Sequence, residues 1–239
     1  MSETSDPGPG PAGPGPAGPG PAGPAPSADG VTGLYGLLAY AELIAFYRLS
    51  DDGKLAPTLA DKAAMAGMAV AEFSHFERIR AELERLGADP GQAMAPFTAP
   101  LDAFHARTVP SDWLEGLVKA YVGDGIATDF YRAAAGVLEP GPRALVLEVL
   151  ADTGHAQFAV EHVRAAIEAD PKVAGRLALW ARRLVGEALG QAQRVIAEHP
   201  PLADLLVGDG ESQLGEMVRM LAELTDAHAR RMSALGLAN

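Results

Sequence analysis

Apolar residues recur at intervals of three or four along most of the chain and divide it into six predicted helices. Such spacing places them on one stripe of an α-helix, and each stripe is expected to face a common core. The pattern therefore predicts an all-α protein. The predicted helices are Val31 to about Ser50, Pro57 to Gly87, Ser111 to about Leu138, Arg143 to about Ala169, Val173 to about Glu198 and Glu211 to Leu235.

The segment between the second and third predicted helices, Ala88 to Pro110, breaks this pattern. It contains four prolines, and an internal proline removes a backbone donor and clashes with the preceding turn, so we expect no regular helix here. The segment is long enough to run the length of a bundle, whereas the loops within each helix pair are short. These lengths predict a four-helix bundle with a long crossover between helices 2 and 3, plus two extra C-terminal helices.

Two polar residues interrupt the apolar stripe of the second predicted helix. Glu72 and His75 lie three residues apart on the stripe that also carries Met65, Met68 and Ile79. Residues at this spacing share one helix face, so both side chains are expected to point inward. Burying an unpaired carboxylate costs several kcal/mol, and a metal ion is one way to compensate it. Alone, the pair is a weak signal, because a single inward histidine is more often a hydrogen-bonded core residue than a ligand.

The same arrangement occurs a second time. Asp152 and His155 are also three residues apart, on the inner face of the fourth predicted helix. Each pair follows a helix that carries an inward acid, Glu42 in the first half and Asp124 in the second. Four acids and two histidines on two helix pairs match the ligand set of carboxylate-bridged di-iron bundles.

This match assigns a role to each residue of the predicted site. The carboxylates in the two acid-x-x-His pairs would bridge two metals, the two preceding acids would be terminal ligands, and each metal would take one histidine. Four carboxylates would also neutralise two divalent cations. The predicted ligands are Glu42, Glu72, His75, Asp124, Asp152 and His155.

Composition narrows the choice of metal. The chain has no cysteine, which excludes disulfides, thiolate zinc sites and iron–sulfur clusters. Histidine and carboxylate ligands suit iron or manganese. We therefore predict two iron ions per chain, with manganese as the alternative. The remaining histidines have no acid partner at the same spacing and are expected at surface or capping positions: His105, His162, His199 and His228.

The N-terminal residues 1–29 form a separate segment rich in Gly, Pro and Ala. Its glycines do not follow the strict every-third-residue rule of collagen, so we predict a disordered tail before a helical domain at 30–239. The chain carries a net charge of -12 and 48% hydrophobic residues. We find neither a long uninterrupted apolar run nor a signal pattern, and we expect a cytoplasmic protein with no membrane partner. The last helix is expected to pack on the bundle or on a second copy in a homodimer.

Two segments make a family resemblance specific: Leu38-Ala39-Tyr40-Ala41-Glu42 and Lys119-Ala120-Tyr121-Val122-Gly123-Asp124. With the order of the motifs, they resemble the ferritin-like MiaE-type tRNA hydroxylases, in particular the divergent actinobacterial branch, over about Val31 to Glu198. Members of the better-known branch are non-haem di-iron monooxygenases that use dioxygen and two electrons to hydroxylate the isopentenyl side chain of a modified adenosine in tRNA.

The resemblance implies a ferritin-like bundle, two irons, an electron-donor reductase and tRNA as partner. The first half keeps the family's Glu…Glu-x-x-His pattern, whereas Asp124 and Asp152 stand where the family usually has Glu. Because Asp is one methylene shorter, a bridging Asp152 requires a closer helix or a shifted metal.

Three hypotheses about function follow, and we favour the first. The chain is an oxygen-dependent hydroxylase, a ferritin-like metal-storage or oxidase protein, or a non-catalytic bundle with a partial metal site. The net charge of -12 opposes RNA binding over the whole surface, so a tRNA enzyme would need a basic face. Arginines of the fifth helix with Arg230 and Arg231 would have to form it; alternatively, they balance neighbouring acids.

Overall fold

Nine α-helices make up most of the part of the chain that the computed structural model describes, residues 27–150, 155–207 and 213–238. The described residues include no β-strand, which confirms the all-α prediction. The helices are α1 Ala28–Asp52, followed by a 3₁₀ turn at Gly53–Leu55, then α2 Leu59–Arg85, α3 Pro90–Arg107, α4 Trp113–Ala135, α5 Pro140–Val149, α6 His155–Ala169, α7 Lys172–Glu198, α8 Pro200–Val207 and α9 Gln213–Leu235.

Side-chain caps fix where the bundle helices begin. The hydroxyl of Ser27 accepts a hydrogen bond from the Gly30 N–H, so α1 begins at Ala28, earlier than predicted and slightly before the expected domain start at residue 30. In α4 the cap is Asp112, which accepts from the Glu115 N–H, so α4 begins at Trp113, two residues after the predicted start at Ser111. Residues 1–26 lie outside the described part, and their disorder stays a prediction.

The crossover segment is helical, and the prediction of an irregular connection is wrong. Asp89 caps α3 by accepting from the Gln92 N–H, and Pro90 occupies a first-turn position where its missing N–H costs nothing. Pro96 and Pro100 lie inside the helix, where each removes a backbone hydrogen bond. Burial of Phe97, only 2% exposed, and of Pro100 against the core offsets this cost.

The second half of the chain also contains more helices than predicted. The expected fourth helix, Arg143 to about Ala169, is divided between α5, which ends at Val149, and α6, which begins at His155. The short helix α8 follows α7 directly, so three helices rather than two follow the bundle, and α9 packs on α4.

Two apolar clusters occupy opposite ends of the bundle. One contains Leu34 and Leu38 of α1 with Ile79 and Leu83 of α2. The other contains Leu49 of α1 and residues from the first half of α2, with residues from the first halves of α4 and α7 and from the end of α9. The middle turns of α1 and α2 lie between the clusters, and these turns carry the predicted metal ligands of the first half.

One helical stretch, Ala28–Leu55, is long and apolar enough to cross a membrane by length and composition. The most apolar 18 consecutive residues of this stretch have a mean hydropathy of 1.3, and 44% of them are buried within the protein. A core helix gives the same signal, so this is weak evidence for a membrane span. The expectation of no membrane partner stays a prediction.

The close contact between α1 and α3 gives a test of the fold. A Cβ added at Gly36 would lie 2.1 Å from the Ala93 carbonyl oxygen, whereas one at Gly33 would meet nothing within 4 Å. Gly36→Ala is expected to lower the free energy of unfolding by about 1–3 kcal/mol through overpacking. The matched control Gly33→Ala should raise it by about 0.5–1 kcal/mol, because alanine favours the helix. Urea denaturation followed by circular dichroism measures both, and equal effects would contradict the crossing of α3 at Gly36.

Candidate metal centre and its cavity

Glu42 of α1 and Glu72 and His75 of α2 meet in the middle of the bundle. One ligand atom from each side chain lies within 4.8 Å of the other two. The His75 Nδ1 atom is 3.4 Å from Glu42 Oε2 and 3.5 Å from Glu72 Oε2. The two glutamates are only 8% and 6% exposed. We refer to these three residues as the Glu/His cluster.

Burial determines the electrostatics of this cluster. It raises the pKa of Glu42 well above its usual value; the nearby Glu72 carboxyl adds to the rise, and His75 partly offsets it. Hydrogen bonds to Glu42 and Glu72 raise the pKa of His75 to about 9, against the opposing effect of burial. The carboxylates thus favour a positive charge among them, and two carboxylates and an imidazole are ligands that a divalent iron or manganese ion accepts. The cluster fits such an ion.

The Glu/His cluster opens on a cavity of about 480 Å³. This volume lies in the range of small-molecule sites. Met68, Phe130 and Phe158 contribute apolar wall to this cavity. Tyr131 also lines the cavity, and its burial raises the pKa of its hydroxyl. The cluster therefore borders a mostly apolar space that can admit a substrate.

Comparison with known proteins identifies the fold family. The profile of a family described as "Ferritin-like domain, actinomycetes" matches residues 27–209. The chain belongs to this ferritin-like family. No curated protein matches the sequence.

Eight chains of solved structures match this ferritin-like protein. One of them is "Protein 19 with aldehyde deformylating oxidase activity from Synechococcus". The alignment covers 89% of this chain and 93% of that chain, with a TM-score of 0.67 and 18% sequence identity. At this identity the similarity shows the fold alone. The ferritin-like bundle predicted from the sequence is confirmed, whereas membership of the MiaE-type branch stays a prediction.

The second half of the ferritin-like site is only partly described. Asp124 lines the same cavity, but its side chain is exposed, in contrast to the buried Glu42. Asp152 and the side chain of His155 lie outside the described residues. Gly125, the residue after Asp124, lets a side chain of α9 approach the backbone of α4 closely. A Cβ at Gly125 would lie 2.1 Å from Arg231 Nε, and the Gly125 carbonyl accepts a hydrogen bond from Arg231.

The sequence missed a second polar group in the cavity wall. Arg48 of α1, His105 of α3 and Lys119 of α4 all line the cavity, together with Asp52. Burial, with the nearby Lys119 and Arg48, lowers the pKa of His105 to about 3, so its ring is neutral. Burial also lowers the pKa of Lys119 to about 8. The burial of these residues could not be predicted from the helical spacing of apolar positions, because a buried cation and an exposed cation interrupt that spacing in the same way.

Of the four histidines expected at surface or capping positions, His199 is the C-cap residue of α7, whereas the other three are more buried than a surface position would be. His228 is only 4% exposed, since it falls on the buried stripe of α9 between Leu224 and Met232. His105 has a buried Nδ1 atom without a hydrogen-bond partner within the described residues. His162 is partly buried and joins two helices, with its Nε2 atom 2.9 Å from the carboxylate of Asp61. The lack of an acid three residues away from each histidine says nothing about whether the histidine itself is buried.

The Glu/His cluster predicts a specific loss of metal affinity. Replacing Glu42, Glu72 or His75 with Ala removes one ligand. Each change is expected to weaken Mn²⁺ or Fe²⁺ binding by more than about 100-fold, because mutation of residues that only hydrogen-bond to a ligand already costs up to about 100-fold in metal affinity. Calorimetric titration under anaerobic conditions measures the affinity.

The matched control for these variants is Glu77→Ala. Glu77 lies on the same helix, but its side chain is 44% exposed and pairs with Arg80 at 3.0 Å. Its removal should leave metal affinity unchanged. Equal metal affinity in the control and in Glu72→Ala would contradict a metal site at the cluster.

Proposed function

We propose that this protein is an oxygen-dependent hydroxylase of the ferritin-like di-iron type. The observation that carries the proposal is the buried Glu/His cluster at the wall of an apolar cavity of about 480 Å³. A purely structural bundle gains nothing from burying two carboxylates in its middle, because their desolvation destabilises the fold unless a cation compensates it. A cavity beside them gives a substrate access to the bound metal.

Six residues would hold two irons in the proposed enzyme. Glu72 and Asp152 would bridge the metals, while Glu42 and Asp124 would be terminal ligands. One histidine, His75 or His155, would bind each metal. In the first half, ligand atoms of Glu42, Glu72 and His75 lie within 4.8 Å of one another, close enough to share one ion. The assignment of Asp124, Asp152 and His155 rests on the sequence repeat.

The proposed reaction inserts one oxygen atom into a C–H bond. When bound, iron supplies the reductive activation of dioxygen. In balance, R–H, O₂, two electrons and two protons give R–OH and water, and a reductase partner would donate the electrons. The chain's own contribution is to hold the ligands and to keep water from the reacting carbon, through apolar walls that include Met68, Phe130 and Phe158.

The similarity to the Synechococcus protein supports oxygen chemistry in this fold. That protein is named for an aldehyde deformylating oxidase activity, and the two chains share the fold over most of their length. We take this as support for an oxidase-type reaction here. It does not extend to the same substrate, since the identity is 18%.

A modified tRNA is the substrate that the MiaE-type resemblance proposes, and we rank it second to a small molecule. Two of the arginines that would form a basic face are paired with acids within the protein. Arg176 pairs with Asp112 at 2.8 Å, and Arg231 contacts Asp129 and the Gly125 carbonyl. Their pairing favours the alternative that they balance neighbouring acids.

Iron content and oxygen consumption test the proposed function. The intact protein, loaded anaerobically, is expected to hold two irons per chain and to consume dioxygen when a chemical reductant is supplied. Glu72→Ala should lose both irons, because it removes a bridging ligand, while Asp124→Ala should keep the first. Metal analysis and an oxygen electrode provide the readouts, with Glu77→Ala as control.

Two results would contradict the hydroxylase. One iron or none in a folded, intact protein would leave a non-catalytic bundle with a partial site. Assembly into a cage that accumulates many irons per chain, detected by light scattering, would establish metal storage instead.

A further inference from the structure

A second cluster, made of nitrogen donors, lines the same cavity as the Glu/His cluster but at a different position. It consists of Arg48, His105 and Lys119, and we call it the nitrogen cluster. Arg48 follows Glu42 by six residues on α1, which corresponds to about 9 Å along the helix axis. The two clusters therefore border one cavity at different levels of the bundle.

The donors of the nitrogen cluster are buried and short of acceptors. Within the described residues, Arg48 Nε and His105 Nδ1 are buried with no hydrogen-bond partner. Lys119 is only 6% exposed, and its Nζ donates to the Thr108 carbonyl at 2.6 Å. Buried donors without acceptors are costly, so their retention in one cavity wall indicates a missing acceptor.

The charges of the cluster are also out of balance. Arg48 and Lys119 are cations. Within the described residues, no carboxylate oxygen lies within 4.0 Å of a side-chain nitrogen of either residue, so neither forms an ion pair there. Among the acids that line the cavity, Asp52 interacts electrostatically with both cations, and burial raises its pKa, which disfavours its charged form. Two cations against at most one carboxylate leave room for one further negative charge.

We propose that the nitrogen cluster binds the carboxylate head of an apolar substrate whose chain extends along the cavity to the Glu/His cluster. A planar guanidinium matches a carboxylate in geometry and can donate two parallel hydrogen bonds. The neutral His105 ring supplies one more donor. Leu101, Phe104 and Leu117 line the same cavity and suit an alkyl chain.

The burial of the nitrogen cluster favours a small molecule over a nucleic acid. Lys119 is 6% exposed, and its neighbour Thr108 is 0% exposed, so a polynucleotide backbone does not reach this position from the surface. A single missing charge also favours a carboxylate over a doubly charged phosphate. The role of the ligand as substrate rests on the proposed function, whereas its binding does not.

Calorimetric titration of the full-length protein with decanoate tests the inference. Decanol and decyl phosphate serve as probes that change only the head group. The titration is run on the protein as purified, after iron chelation and after iron loading, with helicity checked by circular dichroism. Decanoate is expected to bind in all three states, at least about tenfold more tightly than decanol.

Substitutions in the nitrogen cluster give the decisive comparison. Arg48→Gln and Lys119→Gln keep a polar side chain but remove the charge, and each should weaken decanoate binding at least about tenfold and leave decanol binding unchanged. Arg143→Gln, an exposed position on α5, is the matched control and should have no effect. If one of the two charge-removing variants loses helicity, the other variant and the comparison of decanoate with decanol test the inference.

Three results would overturn the inference. They are decanoate binding that is insensitive to both charge-removing variants, decanoate binding restricted to the iron-loaded protein, and tighter binding of decyl phosphate or a modified tRNA anticodon stem-loop than of decanoate. Glu72→Ala separates this inference from the proposed function, since it should lose iron and still bind decanoate.

Discussion

Burial of two carboxylates and an imidazole between two apolar clusters is the constraint on which the arrangement of the bundle depends. Glu42 and Glu72 are nearly inaccessible to water, and they lie where α1 and α2 would otherwise bury apolar side chains. A charge in such a position destabilises the fold unless it is matched, so the surrounding helices must provide either a counter-charge or space for one. His75 provides part of the match, and a divalent cation can provide more.

Other helices are placed so that this centre adjoins a cavity and not a filled core. α3 crosses α1 at Gly36, where a larger residue would collide with the Ala93 carbonyl. On the opposite side, α9 places Arg231 against Gly125 of α4. Side chains from α1, α2, α3, α4, α6 and α7 line one space whose two polar clusters differ in charge, acidic at the centre and cationic at Arg48 and Lys119.

Periodic patterns predicted what depends on local spacing. Glu42, Glu72 and His75 were found from helical stripes, and the structure brings them together. The helix across the crossover was not predicted, because burial of Phe97 in the tertiary structure outweighs the loss at two internal prolines. Lys119 was not predicted either, since its burial depends on distant residues such as Thr108 and Asp52. The second-half ligands, Asp152 and His155, rest on the sequence repeat alone.

The two internal prolines of α3 also affect how the cavity exchanges its contents. Each leaves one carbonyl of the helix without its usual backbone partner, and this helix contributes Leu101, Phe104 and His105 to the cavity wall. A wall segment with fewer backbone hydrogen bonds opens at lower free energy than its neighbours. We therefore expect exchange of ligands with the cavity to depend on how firmly buried side chains such as Phe97 hold α3 in place.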